Sequence, residues 1–395
     1  MTTPVRRLLM IVAVDLDSTR AKGVEHLLLQ HDEQGFFEHV FLVCPYQRVD
    51  RQIALSARHD FFEFGFVAGR WLRRLLAPVH LLRIIVWCAR LVHRERISVI
   101  RATEPTLCGF VAWAASRISG IPYVLSLHAD YDKLFALDGR RGAPTLFGRR
   151  WGMRPLEWLT FRGATRVWPI RKSLVPYALA RGVHQSRVRI IPHGIELRCF
   201  LAPPRIDVHC ELGLPLDKAI LAFAGRLSPE NYIEDMLTAA SRLAAVRDDF
   251  VLVLAGGGPL EDTVAGRMQV DAALRRVVRS VGFLPHDQVL ALRSVAAVSL
   301  CLMGGFSLIE ACAAGRPVIA YDVDWHHELV VDGRTGRLLP EHDIAGIVDA
   351  ISQLLDDAPN ASRMGAEARA LAIARHDLAE ASGIRRKWYS EILST

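Results

Sequence analysis

The chain has 395 residues, 51% of them hydrophobic and 23% charged, which fits two folded domains at roughly 150 residues each and excludes a disordered or fibrous chain. Its net charge of +7 is unevenly placed: residues 1–200 carry 30 Lys and Arg against 16 Asp and Glu (+14), and the rest carry 19 against 26 (−7). Seven cysteines without a Cys-x-x-Cys pair exclude a zinc ribbon and a disulfide framework, and point to a reducing cytoplasm.

No stretch reaches the roughly 18 uninterrupted apolar residues of a spanning helix. The opening "RRLLMIVAV" resembles a secretory leader, but its apolar run stops at Asp15 without a small-residue cleavage site, so a first buried strand is expected. Short apolar runs then alternate with helical stretches. "LLMIVAV", "HVFLVCP", "SVIRAT", "PYVLSLH", "RVWPI" and "RVRIIPHG" read as strands of the first half. "GVEHLLLQHDEQ" and "TLCGFVAWAASRISG" read as helices between them. The second half repeats the scheme with "AILAFAG", "FVLVLAGGG", "VRSVGFL", "AVSLCLM" and "RPVIAYD". Apolar strands separated by helices imply parallel sheets buried on both faces.

The period is lost over 199–215, where "CFLAPPRIDVHCELGLPLDK" carries paired prolines. The expected organisation is α/β: two Rossmann-like doubly wound domains, 1–198 and 199–376, with ligands at strand carboxyl ends facing a shared cleft. Residues 377–395 are expected to form a helix packing back on the first domain.

Four stretches follow strands in the second half. "AFAGRLSPEN" places Arg226 directly after a strand, "LVLAGGGPL" supplies Gly256, Gly257 and Gly258, "VRSVGFLPHDQV" ends on Gly282 and Phe283, and "LMGGFSLIEACAAG" brings Gly304 and Gly305 before a helix opening at Phe306, Ser307 and Leu308. A bare helix start presents backbone N–H groups and a positive dipole end, which suits phosphate. Arg226 adds a fixed cationic fork. Glu310, one turn inward, can accept two hydrogen bonds from vicinal hydroxyls. The stretch fits a nucleotide diphosphate. Taken singly, a Gly-Gly pair is usually a turn and a lone Arg or Glu a surface charge; their joint placement after strands of one domain carries the reading.

These residues, with "IIPHGIELRCF" (190–200) and "GGFSLIEACAAGRPVIAYDVDWHHELVVDGRTGRLLP" (304–340), resemble the retaining glycosyltransferases of family 4, also called glycosyl transferases group 1, which have the GT-B fold. The first half is similar through "SVIRATEP", "IPYVLSLHADYD" and "IIPHGIE". The resemblance implies a sugar transferred from a UDP- or GDP-linked donor, with hexosyl- or N-acetylhexosaminyl-transferase activity. It implies that Arg226 contacts the diphosphate, Ser307 and Leu308 donate backbone N–H groups, Glu310 binds the ribose, Phe283 and nearby backbone hold the base, and His128 reaches the donor sugar. His128, Arg226 and Glu310 are the implied catalytic set.

The family pattern breaks at two positions. Its lysine after the arginine is Asn231 here, and its first glutamate falls on Leu302 in a shortened loop. The sugar-contacting role is then expected to pass to the backbone of Gly304 and Gly305, or to another side chain. Lys22 and Arg20 stand near the first strand to supply charge, beside Gly23, the remnant of a glycine-rich loop. No tightly bound metal or other cofactor is expected: "DVD" (322–324) follows a strand beside Trp325, His326 and His327, read as a surface loop.

Pro78 is expected to start a helix on which His80, Arg83, Trp87, Arg90 and Arg94 fall along one face, opposite Leu82, Ile85, Val86, Ala89 and Val92. That cationic face over 78–96 is either an anionic membrane surface contact or a solvated domain helix; no nucleic-acid motif accompanies it. The acceptor reading is a lipid-linked or envelope polysaccharide, met by a cytoplasmic enzyme peripheral to the inner membrane face. Two other readings stay open: a nucleotide-sugar 2-epimerase, and a sugar-nucleotide-binding protein that has lost catalysis.

Overall fold

The computed structural model describes residues 5–21, 25–66, 70–145 and 149–394. The chain divides into two units, one made of 1–193 with 381–395 and one of 194–380.

The first unit holds strands β1 (Arg7–Ile11), β2 (His39–Gln47), β3 (Arg51–Ser56), β4 (His59–Gly65), β5 (Val99–Ala102), β6 (Tyr123–Leu127) and β7 (Arg166–Pro169) in the order β3-β4-β2-β1-β5-β6-β7. All pairings are parallel except β3 with β4. The second unit holds β8 (Ala219–Ala224), β9 (Phe250–Ala255), β10 (Val278–Gly282), β11 (Val298–Leu300), β12 (Val318–Tyr321) and β13 (Gly336–Leu339), all parallel, in the order β10-β9-β8-β11-β12-β13. Leaving out the antiparallel edge strand β3, each sheet has the doubly wound order 3-2-1-4-5-6.

Strand alternation explains why these segments read as continuous apolar runs. Leu9, Ile11, Phe41 and Val43 pack into one core of the first unit, while Leu8, Met10, Val40 and Leu42 pack into another on the opposite face. In the second unit Leu221, Phe223, Leu252 and Leu254 face one core, and Ile220, Ala222, Val251 and Val253 the other. A strand covered by helices on both sides has no polar face to show.

Three expectations change. "RVRIIPHG" makes only a single bridge between Val188 and Val167. The hairpin β3–β4 escapes a search for apolar runs because β3 lies at the edge, with alternate residues exposed. The third change concerns the helix thought to begin at Pro78. One helix spans Arg70–Arg94 with Pro78 inside it, and its faces differ from the expected stripe. His80 is buried and its Nε2 donates to the Pro45 carbonyl at 2.8 Å. Trp87 packs against Phe62 and Phe64, with ring centroids 4.8 and 4.9 Å away. Leu82, placed on the inner face, is instead 59% exposed. Arg83 pairs with Asp50 at 2.7 Å. The basic residues therefore do not form an unbroken face, because the His and Trp between them are drawn into the core. Leu76–Arg94 has the length and hydropathy of a spanning helix. Its Ile84, Cys88, Leu91 and Val92, however, are buried in the first unit's core.

The C-terminal helix Leu378–Leu393 joins the first unit from Ala381 onward. Buried Glu33 accepts from Arg385 Nε at 2.6 Å and lies 3.6 Å from Arg101 Nη1. Arg101 also donates to Ser126 Oγ at 2.7 Å and stands over the Trp168 ring. Tyr389 fills the space among Phe36, Phe37 and Trp168. Arg385→Ala leaves Glu33 buried with one poorer partner and is expected to cost about 3 kcal/mol, the usual scale for breaking a buried pair. Urea unfolding of the full chain checks this; a loss below about 1 kcal/mol contradicts it.

Candidate functional site

In a doubly wound sheet the crevice opens where strand order reverses. In the second unit that point lies between β8 and β11, and it receives the loop after β8, with Arg226, and the loop after β11, with Gly304 and Gly305.

The loops after β8 and β9 are zipped together by backbone. Gly225 N–H donates to Ala255 and Leu227 N–H to Gly257, each at 2.9 Å, while Leu260 N–H returns to the Leu227 carbonyl at 3.0 Å. Gly256 has φ +136°, and a Cβ there would lie 1.9 Å from the Gly225 oxygen. No other residue type fits that contact. Gly257 supplies the carbonyl that holds Leu227. The close approach falls on its neighbours Gly256 and Gly258, whose added Cβ would lie 2.4 Å from the Leu227 oxygen.

This zipper presents Arg226 at the strand end. Its side chain is exposed, and among the described residues no carboxylate forms an ion pair with it. Asn231, which stands at the family's lysine position, turns its amide inward: Nδ2 donates to the Arg226 carbonyl at 2.6 Å and to Ser228 Oγ at 3.4 Å. Asn231 thus closes the loop that carries Arg226.

Across the switch point, the helix Phe306–Ala313 begins at Gly305 with no side-chain cap among the described residues. Its first N–H groups have no intrahelical acceptor. Leu308 and Ile309 are buried and fix the helix in the unit's core, while Gly305 and Phe306 are exposed and Ser307 half-buried. Gly304 is packed so closely that a Cβ would meet Cys301 Sγ at 2.5 Å, whereas one on Gly305 would meet open space. His326, read as part of a surface loop, is instead completely buried. Its Nδ1 donates to the Tyr321 carbonyl at 2.9 Å, and Nε2 lies 3.2 Å from both the N–H and the carbonyl oxygen of Gly304. The imidazole ties the end of β12 to the glycine loop. Its neighbour His327 is exposed and faces Asp322 at 3.4 Å.

Glu310 is half-buried, with Oε2 3.6 Å from Nη2 of Arg293. Arg293 comes from the helix His286–Val295 and was not singled out in the sequence, where it is one arginine among many. Phe283, after Gly282 at φ +68°, is 87% exposed beyond β10. Such an uncovered ring is available for stacking.

The first unit offers an internal comparison. Its helix after β5, Leu107–Ser119, holds the same place as Phe306–Ala313 in the second unit. There the carboxylate of buried Glu104 accepts from the N–H groups of Thr106 and Cys108. After β1, Asp15 accepts from Ser18 N–H at 2.7 Å, and buried Glu63 accepts from Leu16 N–H at 3.0 Å. Side-chain carboxylates occupy the helix starts that could hold an anion. In the second unit the equivalent start has no side-chain cap among the described residues.

His128 follows β6, with Nδ1 3.3 Å from His193 Nε2, and its carbonyl accepts from Arg171. Burial, then Arg101 and Arg171, push its pKa down to about 4, so the imidazole is neutral at pH 7. Arg20 is committed to Glu25 at 2.9 Å. Lys22 and Gly23 lie outside the described residues.

Residues 21–194 match the family model described as "Glycosyl transferase 4-like domain", and residues 205–371 match "Glycosyl transferases group 1". The chain is 35% identical over 196 residues to the D-inositol 3-phosphate glycosyltransferase of Mycolicibacterium smegmatis, covering 46% of this chain and 43% of that protein. A protein of the same name from Acidothermus cellulolyticus is 29% identical over 278 residues, covering 67% and 61%. Both alignments span less than two thirds of the relative. In three dimensions the chain is similar to Anabaena HepE, crystallised with UDP, at a TM-score of 0.73 and 16% identity over 98% of this chain and 100% of that one. With the two matches taking in most of its length, the chain belongs to glycosyltransferase family 4, whose fold is GT-B.

Two outcomes test this geometry. Gly256→Ala forces apart the loops that present Arg226 and is expected to weaken nucleoside diphosphate binding tenfold or more by calorimetry. Gly266→Ala, whose Cβ meets open space, leaves binding unchanged. For His128, the folded pKa lies below the roughly 6.5 of an unfolded histidine. The unfolded chain therefore binds the extra proton first, and stability falls as pH drops from about 6.5 toward about 4. An imidazole NMR titration should show His128 unchanged between pH 8 and 6; a midpoint near 6.5 contradicts the burial argument.

Proposed function

We propose that the protein is a retaining glycosyltransferase that moves a hexosyl or N-acetylhexosaminyl group from a UDP- or GDP-linked donor to a lipid-linked or envelope polysaccharide acceptor. The observation that carries this reading is that, among the described residues, the helix opening at Phe306 has no side-chain cap and Arg226 no carboxylate ion pair, both at the switch point of the second unit. HepE, similar in fold, binds UDP.

The chemistry follows from where charge develops. The bond from the anomeric carbon to the diphosphate oxygen breaks, and its electron pair stays on the leaving nucleotide. The helix N–H groups and the Arg226 guanidinium are fixed beforehand where that charge appears; loss of one such donor typically slows a reaction roughly 10²–10³-fold. The acceptor hydroxyl bonds to the same face of the sugar, and its proton passes to the departing phosphate oxygen. Glu310 accepts from the ribose hydroxyls, Phe283 stacks on the base, and the backbone of Gly304 and Gly305 meets the sugar. His128, being neutral, offers a hydrogen bond to the sugar without adding charge. This arrangement neutralises the diphosphate without a tightly held metal.

The acceptor reading draws on the first unit. On the helix Arg70–Arg94, Leu76, Val79 and Leu82 are exposed while Arg83 and Arg90 stand further along. Apolar and cationic residues side by side suit an amphiphilic acceptor or an anionic membrane surface. The enzyme then works in the cytoplasm, at the inner membrane face.

Arg226→Ala is expected to weaken nucleoside diphosphate binding at least tenfold and nucleoside binding by less than twofold, whereas Glu310→Ala weakens both. Equal calorimetric affinities for wild type and both variants overturn the donor site. With labelled donors and membrane extract, the product anomer should match the donor and activity should survive chelation. An inverted product, or activity restored only by manganese, contradicts the mechanism. Val79→Ser with Leu82→Ser should reduce sedimentation with anionic vesicles while leaving nucleotide affinity unchanged; no binding of wild type to such vesicles at low salt removes the membrane placement.

A further inference from the structure

We infer that Arg293 is a positioning residue of the donor site, acting through Glu310 to select ribonucleotide over other anions. The inference rests on the donor-site reading above, since it gives Glu310 the ribose.

Arg293 is 4% exposed and lies under the switch point. One guanidinium nitrogen, Nη2, reaches both sides of it, 3.2 Å from the Ala224 carbonyl that ends β8 and 3.6 Å from Glu310 Oε2 on the helix after β11. Its Nε is buried without a hydrogen-bond partner among the described residues. A guanidinium held this way is expensive unless charge elsewhere compensates it. Glu310 is the carboxylate within reach, and at 3.6 Å the contact is electrostatic rather than a tight hydrogen bond. Glu310 thus keeps lone pairs for another donor. A carboxylate clamped by a tight bidentate arginine would have little left to offer a ligand; one held loosely from below, by a cation anchored on the next strand, is oriented and still open above. The family's lysine is Asn231 here and its first glutamate is Leu302, buried in the core. Among the described residues, Arg226, Arg293 and Glu310 thus belong to the charged framework of this site, and of these Arg293 is the one that is buried.

The role makes a specific claim about ligand discrimination. Without Arg293 the Glu310 carboxylate loses its anchor, so recognition of the 2′ and 3′ hydroxyls falls while recognition of the diphosphate by Arg226 and the helix start remains. A site that hydrogen-bonds a hydroxyl rejects the analogue lacking it far more strongly than an apolar pocket rejects a size change.

The test uses the full chain and calorimetry with UDP and GDP, taking whichever binds tighter, against its 2′,3′-dideoxy form. Wild type should prefer the ribonucleotide by about tenfold or more. Glu310→Gln and Arg293→Met should each bring that ratio to within about threefold of unity, and Arg293→Lys, which restores the cation, should recover part of it. If Arg293 only supports the fold, its variants melt earlier but keep the wild-type ratio, and the inference is overturned while the donor site stands. Should Arg293→Met not fold, the ratio for Arg293→Lys decides, a full wild-type ratio counting against the role. If wild type itself shows no ribose preference, or binds neither nucleotide, the donor-site reading fails and this inference with it.

Discussion

Backbone has to touch backbone for this site to exist. The carbonyl of Gly225 sits where the Cβ of residue 256 would otherwise be, and that contact lets the loops after β8 and β9 run side by side with paired N–H and carbonyl groups. Arg226 emerges from the zipped loop, Asn231 closes that loop, and the glycine loop after β11 leads into a helix with no side-chain cap among the described residues. The constraint is steric and tolerates one residue type, so the site is specified more sharply by its glycines than by its charges.

The two units show how one fold is directed to different uses. Both sheets follow the same order and both have helices starting at the switch point. In the first unit Asp15, Glu63 and Glu104 satisfy those helix starts from within the chain. In the second unit Gly304 and Gly305 directly precede the equivalent helix. The internal carboxylates serve the helix starts of the first unit, while that of the second, with no side-chain cap among the described residues, is the one proposed to take an anion from outside. The overall charge runs the opposite way: the +14 surplus lies in residues 1–200 and the deficit in the rest. On the proposed reading, local geometry outweighs net charge in deciding where a diphosphate is held.

Much of this was legible in the sequence, and the reasons differ by feature. Fully covered strands read as apolar runs because neither face meets water, which made β1, β2, β8 and β9 visible; β3 was missed because half its residues are exposed. Gly256, Gly304 and Gly305 stood out as glycines after strands, though not that Gly256 and Gly258, rather than Gly257, make the close approaches, since that depends on φ. The helix Arg70–Arg94 shows where periodicity misleads: spacing put His80 and Trp87 on a basic face, but a ring buried against Phe62 and Phe64 is worth more than alignment with arginines. Asn231 was legible as the residue at the family's lysine position, but not its amide contact with the Arg226 carbonyl, which depends on the fold of the loop. Arg293 and His326 were illegible as site residues because their roles depend on partners contributed by other elements of the unit.

The central claim is that the second unit's open helix start, with Arg226 beside it, holds a nucleoside diphosphate. A crystal structure of the full chain soaked with UDP or GDP tests it most directly. The account predicts the diphosphate within hydrogen-bond distance of the Ser307 and Leu308 N–H groups, with the Arg226 guanidinium on its flank and the ribose over Glu310. A nucleotide bound with its phosphates away from that helix start, at the carboxylate-filled helix starts of the first unit or elsewhere on the chain, contradicts it.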